Sequence, residues 1–285
     1  MTISPAASLG AVSLTVADLD PQVAFYQDAI GLRQIRRDGN TVELGAPNSD
    51  APLVSLVERP EAPPRPSGTT GLFHLALLVP SRTELARALH RVTGAGHRFT
   101  GASDHLVSEA LYLDDPEGNG IEIYRDRPRE EWTYEDGTLA MGTLPLDLEG
   151  VLAGVPAGDT GDGMAPDTRI GHVHLQVADI PGAEAFYVDA LGFEPTVRRY
   201  PGALFVSAGG YHHHVGVNTW AGAGAPAPPV GSRGLRTFTI VFPDTTELGR
   251  SVAAVRAAGV EVTADSAGRD VVTDPSGNTA VLVAA

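Results

Sequence analysis

Cysteine is absent from all 285 residues. Its absence excludes disulfides, thiolate metal sites and a cysteine nucleophile, and it fits a cytosolic protein. No apolar run reaches the roughly 20 residues of a membrane-spanning helix. Met1–Ser8 has no basic stretch followed by an apolar one, so no secretory leader is expected. No glycine-rich phosphate loop runs from a strand into a helix, and no Gly-x-Ser-x-Gly elbow appears. Positive charge is scarce, with 20 Lys and Arg against 35 Asp and Glu and a formal charge of −15. That field repels phosphates, so neither nucleic acid nor an anionic membrane is an expected partner. What the chain does have is 42% hydrophobic residues, enough for two ordinary domains with cores of their own.

It also repeats itself. Residues 9–33 and 170–194 align without a gap at an offset of 161, with twelve of 25 positions identical, among them Gly10/Gly171, Asp18/Asp179, Phe25/Phe186, Tyr26/Tyr187 and Gly31/Gly192. The segments starting near Phe73 and Thr237 form a second pair: each runs from an apolar strand through Thr-Glu-Leu into a helix and closes on Asp-Pro-x-Gly-Asn and a last strand. Asp18 reads as a helix N-cap, Pro21 sits in the first turn, and Gly31 stops a helix ending near Ile30. Strands are predicted near 32–37, 41–45 and 53–58, then 73–79, a helix over 82–93, and strands near 97–100, 107–113 and 120–125. Phe25, Tyr26, Phe186 and Tyr187 read as core residues on helices facing sheets. The long connection 126–168 is either an ordered crossover or a flexible spacer, with a short helix in Leu146–Val155. This divides the chain into a first pair of βαβββ modules over 9–125 (9–58, 72–125) and a second over 169–285 (170–220, 235–283).

Ile170-Gly-His-Val-His-Leu-Gln-Val-Ala-Asp179 with Ala185-Phe-Tyr187, and Asp115-Pro-Glu-Gly-Asn-Gly-Ile-Glu122, resemble the vicinal oxygen chelate superfamily, within it most closely the two-domain catechol 2,3-dioxygenases. The likeness covers residues 9–283. It implies an α+β fold of four βαβββ modules paired into two cup-shaped mixed-sheet barrels, with metal ligands from the first and fourth strands of a module. Those positions hold Ala11 and Ser55 in module one, His74 and Glu122 in module two, His172 and Gly216 in module three, and Thr237 and Val281 in module four. Two imidazoles and one carboxylate therefore remain: His74, His172 and Glu122, a set that suits non-haem Fe(II), with Mn(II) as a substitute. Strand alternation agrees, setting His74 opposite Phe73, Leu75 and Leu77, His172 opposite Val173 and Leu175, and Glu122 opposite Ile121 and Ile123. His174 shares the face of His172 and is either a rival ligand or a group that supports one; matching Leu72-x-His74 to Ile170-x-His172 favours His172.

Tyr211-His-His-His-Val-Gly-Val-Asn218 resembles the His-His strand of the extradiol enzymes, which assigns acid–base work to His213. A regular strand would instead turn His212 and His214 inward, so that choice depends on a bulge. By the same resemblance Tyr112 binds the substrate hydroxyl and His105 is a second active-site histidine. One departure stands out: the familiar enzymes take their ligands from modules three and four, whereas here module two carries them. Either modules two and three share one site within the chain, or a dimer brings them together.

The expected activity is Fe(II)-dependent extradiol cleavage of a small aromatic diol with O₂, in a cytoplasmic homo-oligomer. The rivals are a metal-dependent glyoxalase-type isomerase or lyase and a metal-free small-molecule-binding protein.

Overall fold

The computed structural model describes residues 1–285. Module one has β1 (Ser8–Val16), α1 (Leu19–Phe25), β2 (Arg33–Asp38), β3 (Thr41–Gly45) and β4 (Val54–Glu58). Module two has β5 (Gly71–Leu78), α2 (Arg82–Gly94), β6 (Gly101–Asp104), β7 (Ser108–Asp114) and β8 (Gly120–Asp126). The connection carries β9 (Tyr134–Glu135), β10 (Thr138–Leu139), β11 (Leu144–Pro145) and α3 (Leu148–Leu152). Module three follows with β12 (Arg169–Gln176), α4 (Ile180–Glu184), β13 (Glu194–Val197), β14 (Ala203–Ser207) and β15 (Val215–Asn218). Module four has β16 (Gly234–Phe242), α5 (Thr245–Ala257), β17 (Thr263–Ala264), β18 (Asp270–Thr273) and β19 (Thr279–Ala284). The α+β class and the four βαβββ modules in mixed sheets are those expected.

Two compact units are distinguished. One comprises Leu14–Ala62 and His74–Ile170. In it β3 pairs antiparallel with β2 and β4, and a second set runs β11-β6-β7-β8-β5, parallel only between β8 and β5. The other comprises Met1–Ser13, Pro63–Phe73 and Gly171–Ala285. Its sets run β12-β15-β14-β13 and β17-β18-β19-β16, each parallel only where the module's first strand meets its last.

Asp18 caps its helix as the sequence predicts, accepting from Asp20 N, and its repeat partner Asp179 does the same, accepting from Gly182 N. Both helices then widen into a π-helical turn, Tyr26–Ile30 and Ala185–Ala190, which the apolar periodicity does not announce. Gly31, at φ 89°, ends the first in the left-handed conformation. The four repeated aromatics are core: Phe25, Tyr26, Phe186 and Tyr187 are all at most 3% exposed. The strand predicted near 97–100 lies instead at Gly101–Asp104, whose Gly-Ala-Ser-Asp composition carries no alternating apolar signal.

The connection is the ordered crossover rather than the spacer. Trp132, Leu139, Val151 and Met164 are buried. The Arg91 guanidinium on α2 donates to the carbonyls of Ile30, Thr160 and Gly163. Burial holds that guanidinium down to about 10.

Candidate metal centre

The register of β5, β7 and β8 builds one face of a site. Glu122 stands opposite Ala76 on β5 and Tyr112 on β7. Residues directly opposed in a ladder share a face, and His74, two positions before Ala76, joins them. The apolar residues on that face are small or packed: Ala76, Leu78, Ala110 and Tyr124 form a buried cluster against which Tyr112 lies. His74 and Glu122 are nearly withdrawn from solvent, and His74 Nε2 stands 2.9 Å from Glu122 Oε2. The Tyr112 ring is 5.5 Å from the His74 ring. Phe73, on the other face of the strand from His74, is 38% exposed and meets His174 and Trp220 edge-on.

His105 and Tyr112 form a hydrogen-bonded pair. His105 Nε2 is 2.6 Å from Tyr112 Oη, and its Nδ1 is 2.6 Å from the Gly142 carbonyl in the connection. Nothing in the sequence pointed to Gly142, because a backbone acceptor leaves no side-chain signature.

His172 lies on β12 and is 1% exposed. The histidine run does not belong to a regular strand: β15 starts at Val215, and His212–His214 occupy the irregular turn before it. That break decides how the three rings point. The His213 ring lies 4.1 Å from the His172 ring and 4.9 Å from Phe205. His212 is wholly buried with its Nδ1 2.7 Å from His213 Nδ1. His214 turns elsewhere, its Nδ1 accepting from Ala208 N at 3.1 Å. Gly216, the empty ligand position of module three, sits opposite His174, and a Cβ there would stand 3.1–3.3 Å from that imidazole. The His174 ring therefore fills the space a side chain at 216 would need. Three aromatic rings, Phe73, Phe205 and Trp220, stand around it.

Buried side chains here offer two imidazoles and a carboxylate as ligands: His74 and Glu122 side by side in one unit, and His172 in the other. The set fits a divalent transition metal. Two ligand atoms bound about 2.1 Å from an ion at right angles stand about 3.0 Å apart, close to the 2.9 Å between His74 and Glu122.

Residues 8–123 and 169–282 both match the Glyoxalase/Bleomycin resistance protein/Dioxygenase superfamily. The chain belongs to this superfamily. Among curated relatives of the superfamily it is similar to a catechol-2,3-dioxygenase of Bacillus subtilis (strain 168), 44% identical over 259 residues, 89% of each chain. Among solved structures it resembles a putative dioxygenase from Bacillus subtilis subsp. subtilis str. 168, with a TM-score of 0.69 at 13% identity over 100% of this chain and 86% of that one. Glyoxalase I from Zea mays gives a TM-score of 0.60 at 16% identity over 97% and 92%. At such identities these two likenesses show the fold.

Proposed function

We propose that the protein is a non-haem Fe(II)-dependent extradiol dioxygenase that opens the ring of a catechol, with Mn(II) able to take the same ligand set. The observation that carries this reading is the buried His74–Glu122 pair on one face of module two, to which His172 of module three would add the third ligand. The relative named catechol-2,3-dioxygenase, matched along nine-tenths of both chains, supports the same activity. Two neutral imidazoles and one carboxylate leave a divalent ion with one positive charge and open positions for a catecholate and O₂. Bound there, Fe(II) supplies Lewis acidity and a redox centre.

The chain's own residues manage the substrate and its protons. The facing Nδ1 atoms of His212 and His213 share one proton, so one ring donates and the other accepts. Imidazole takes up and returns a proton near neutrality, and His213, the ring beside His172, acts on the substrate. Tyr112 meets the second hydroxyl, with His105 behind it. The apolar cluster of Ala76, Leu78, Ala110 and Tyr124 keeps water from that face.

The test is anaerobic loading with Fe(II), exposure to a panel of catechols, and measurement of O₂ uptake with the absorbance of the yellow ring-opened product. One O₂ consumed per ring opened is expected. Isomerase turnover without O₂ uptake would select the glyoxalase-type chemistry instead, and binding without turnover a sequestering protein.

A further inference from the structure

The loop that carries His105 is braced by charge. Between β6 and β7 the backbone turns through Leu106 at φ 70°, a left-handed conformation unusual for a residue with a branched side chain. Asp104 Oδ1 accepts from Leu106 N at 2.8 Å, His105 N donates to Ser108 O, and Arg127 N donates to Val107 O. The second Asp104 oxygen takes Arg127 Nη2 at 2.6 Å. Arg127 also reaches Glu109, the buried carboxylate that Arg82 and Arg125 hold, so the loop is tied to the end of β8. Burial alone would raise the Asp104 carboxyl, but hydrogen bonds from Arg127 and Leu106 hold it below the usual range.

The connection then sets the ring. A carbonyl oxygen only accepts, so at 2.6 Å from Gly142 the proton of His105 is on Nδ1. In the neutral imidazole Nε2 is the acceptor, and the Tyr112 hydroxyl donates into it. The Tyr112 oxygen is left to accept from a substrate hydroxyl rather than donate to it.

We propose that the Asp104–Arg127 ion pair is a positioning device that keeps His105 in its Nδ1–H tautomer against Gly142, and through it presents the Tyr112 oxygen to the substrate as an acceptor. The substrate half of this rests on the dioxygenase reading; the tautomer half does not.

The tautomer is read in metal-free, full-length protein by long-range ¹H–¹⁵N imidazole spectra, the His105 signal being assigned by its loss in His105→Phe. Wild type and Arg127→Lys should show one Nδ1–H tautomer, and Arg127→Met a mixture of both. Should Arg127→Met fail to fold, Asp104→Asn keeps the acceptor for Leu106 N while removing the charge, and is expected to give the same mixture. An unchanged His105 spectrum in the folded variant would overturn the proposal whatever the activity. In the Fe(II)-loaded enzyme, Arg127→Met should lower kcat about tenfold in the wild-type background and have little further effect in His105→Phe, because residues acting through one another are not additive. Equal losses in both backgrounds would mean that Arg127 does not act through His105. The expected tautomer shift in a protein that takes up no O₂ with any catechol would leave the positioning device standing and remove the dioxygenase reading alone.

Discussion

Modules two and four are the same frame with different side chains at the same register positions. In module two, Glu122 on β8 faces Tyr112 on β7 and Ala76 on β5. In module four, Val281 on β19 faces Val271 on β18 and Thr239 on β16. The turn before the last strand is preserved in detail. Asp115 accepts from Glu117 N, Asn119 N, Asn119 Nδ2 and the Tyr26 hydroxyl. Asp274 accepts from Ser276 N, Asn278 N, Asn278 Nδ2 and the Tyr187 hydroxyl. Burial raises both carboxyls against these bonds, and burial beside an aspartate raises both tyrosines well above their ordinary value. The fold thus resides in what the copies share, and the proposed metal chemistry in the few facing positions where they differ.

The largest effect should come from erasing that difference. Glu122→Val gives module two the residue of module four and removes the only carboxylate of the triad. Metal affinity should fall by more than the roughly 10–100-fold typical of losing a residue that merely supports a ligand, and O₂ uptake should vanish with it. Retention of iron at wild-type affinity, measured by equilibrium dialysis, would show that Glu122 is no ligand. Next in size is His213→Phe, which should keep its metal and bind catechol while turnover drops ~10²–10⁴-fold, the usual range for a lost acid–base group. Loss of metal would make His213 a ligand; an unchanged rate would move the proton work to His212.

The sequence made the frame and the shared face of His74 and Glu122 legible because both rest on local pattern. The gapless repeat, the capping aspartates and the Asp-Pro-x-Gly-Asn turns each leave a residue signature, and strand alternation sets Glu122 on the face it shares with Ala76 and Tyr112. What it could not give was irregular backbone. The turn at His212–His214, the π-helical turns and the left-handed Leu106 all depart from the periods on which the reading rests. Gly142 and the Arg127 brace join residues far apart in the chain through a backbone carbonyl and a guanidinium that look like ordinary loop and surface groups. Gly216 could be read only as a missing ligand until the His174 ring was found across it.

A smaller effect separates stability from chemistry in module two. The arginines around Glu109 hold its carboxyl below the ordinary 4.5, against the burial that alone would raise it. A depressed carboxyl contributes stability that is full above its unfolded value and is lost as pH falls through its folded one. Glu109→Gln should therefore destabilise at pH 7 by about 3 kcal/mol, the usual scale for breaking a buried pair. The deficit should narrow as pH drops below 4.5. Chemical denaturation at pH 7 and pH 4 checks this, and a deficit independent of pH would contradict it. The smallest effect tests the likeness of the copies: Tyr26→Phe and Tyr187→Phe should each cost about 1 kcal/mol, one buried hydrogen bond apiece, with metal binding intact in both. Clearly unequal losses would mean that the two turns are not equivalent.

The facing positions of module two, and not their duplicates in module four, should hold a metal. Titration of metal-free protein with Fe(II) under anaerobic conditions, with bound iron counted per chain, tests it most directly. Saturation at a single equivalent is expected in wild type, with none held at comparable affinity in Glu122→Val. Two equivalents of similar affinity, or one equivalent retained by Glu122→Val, would contradict it.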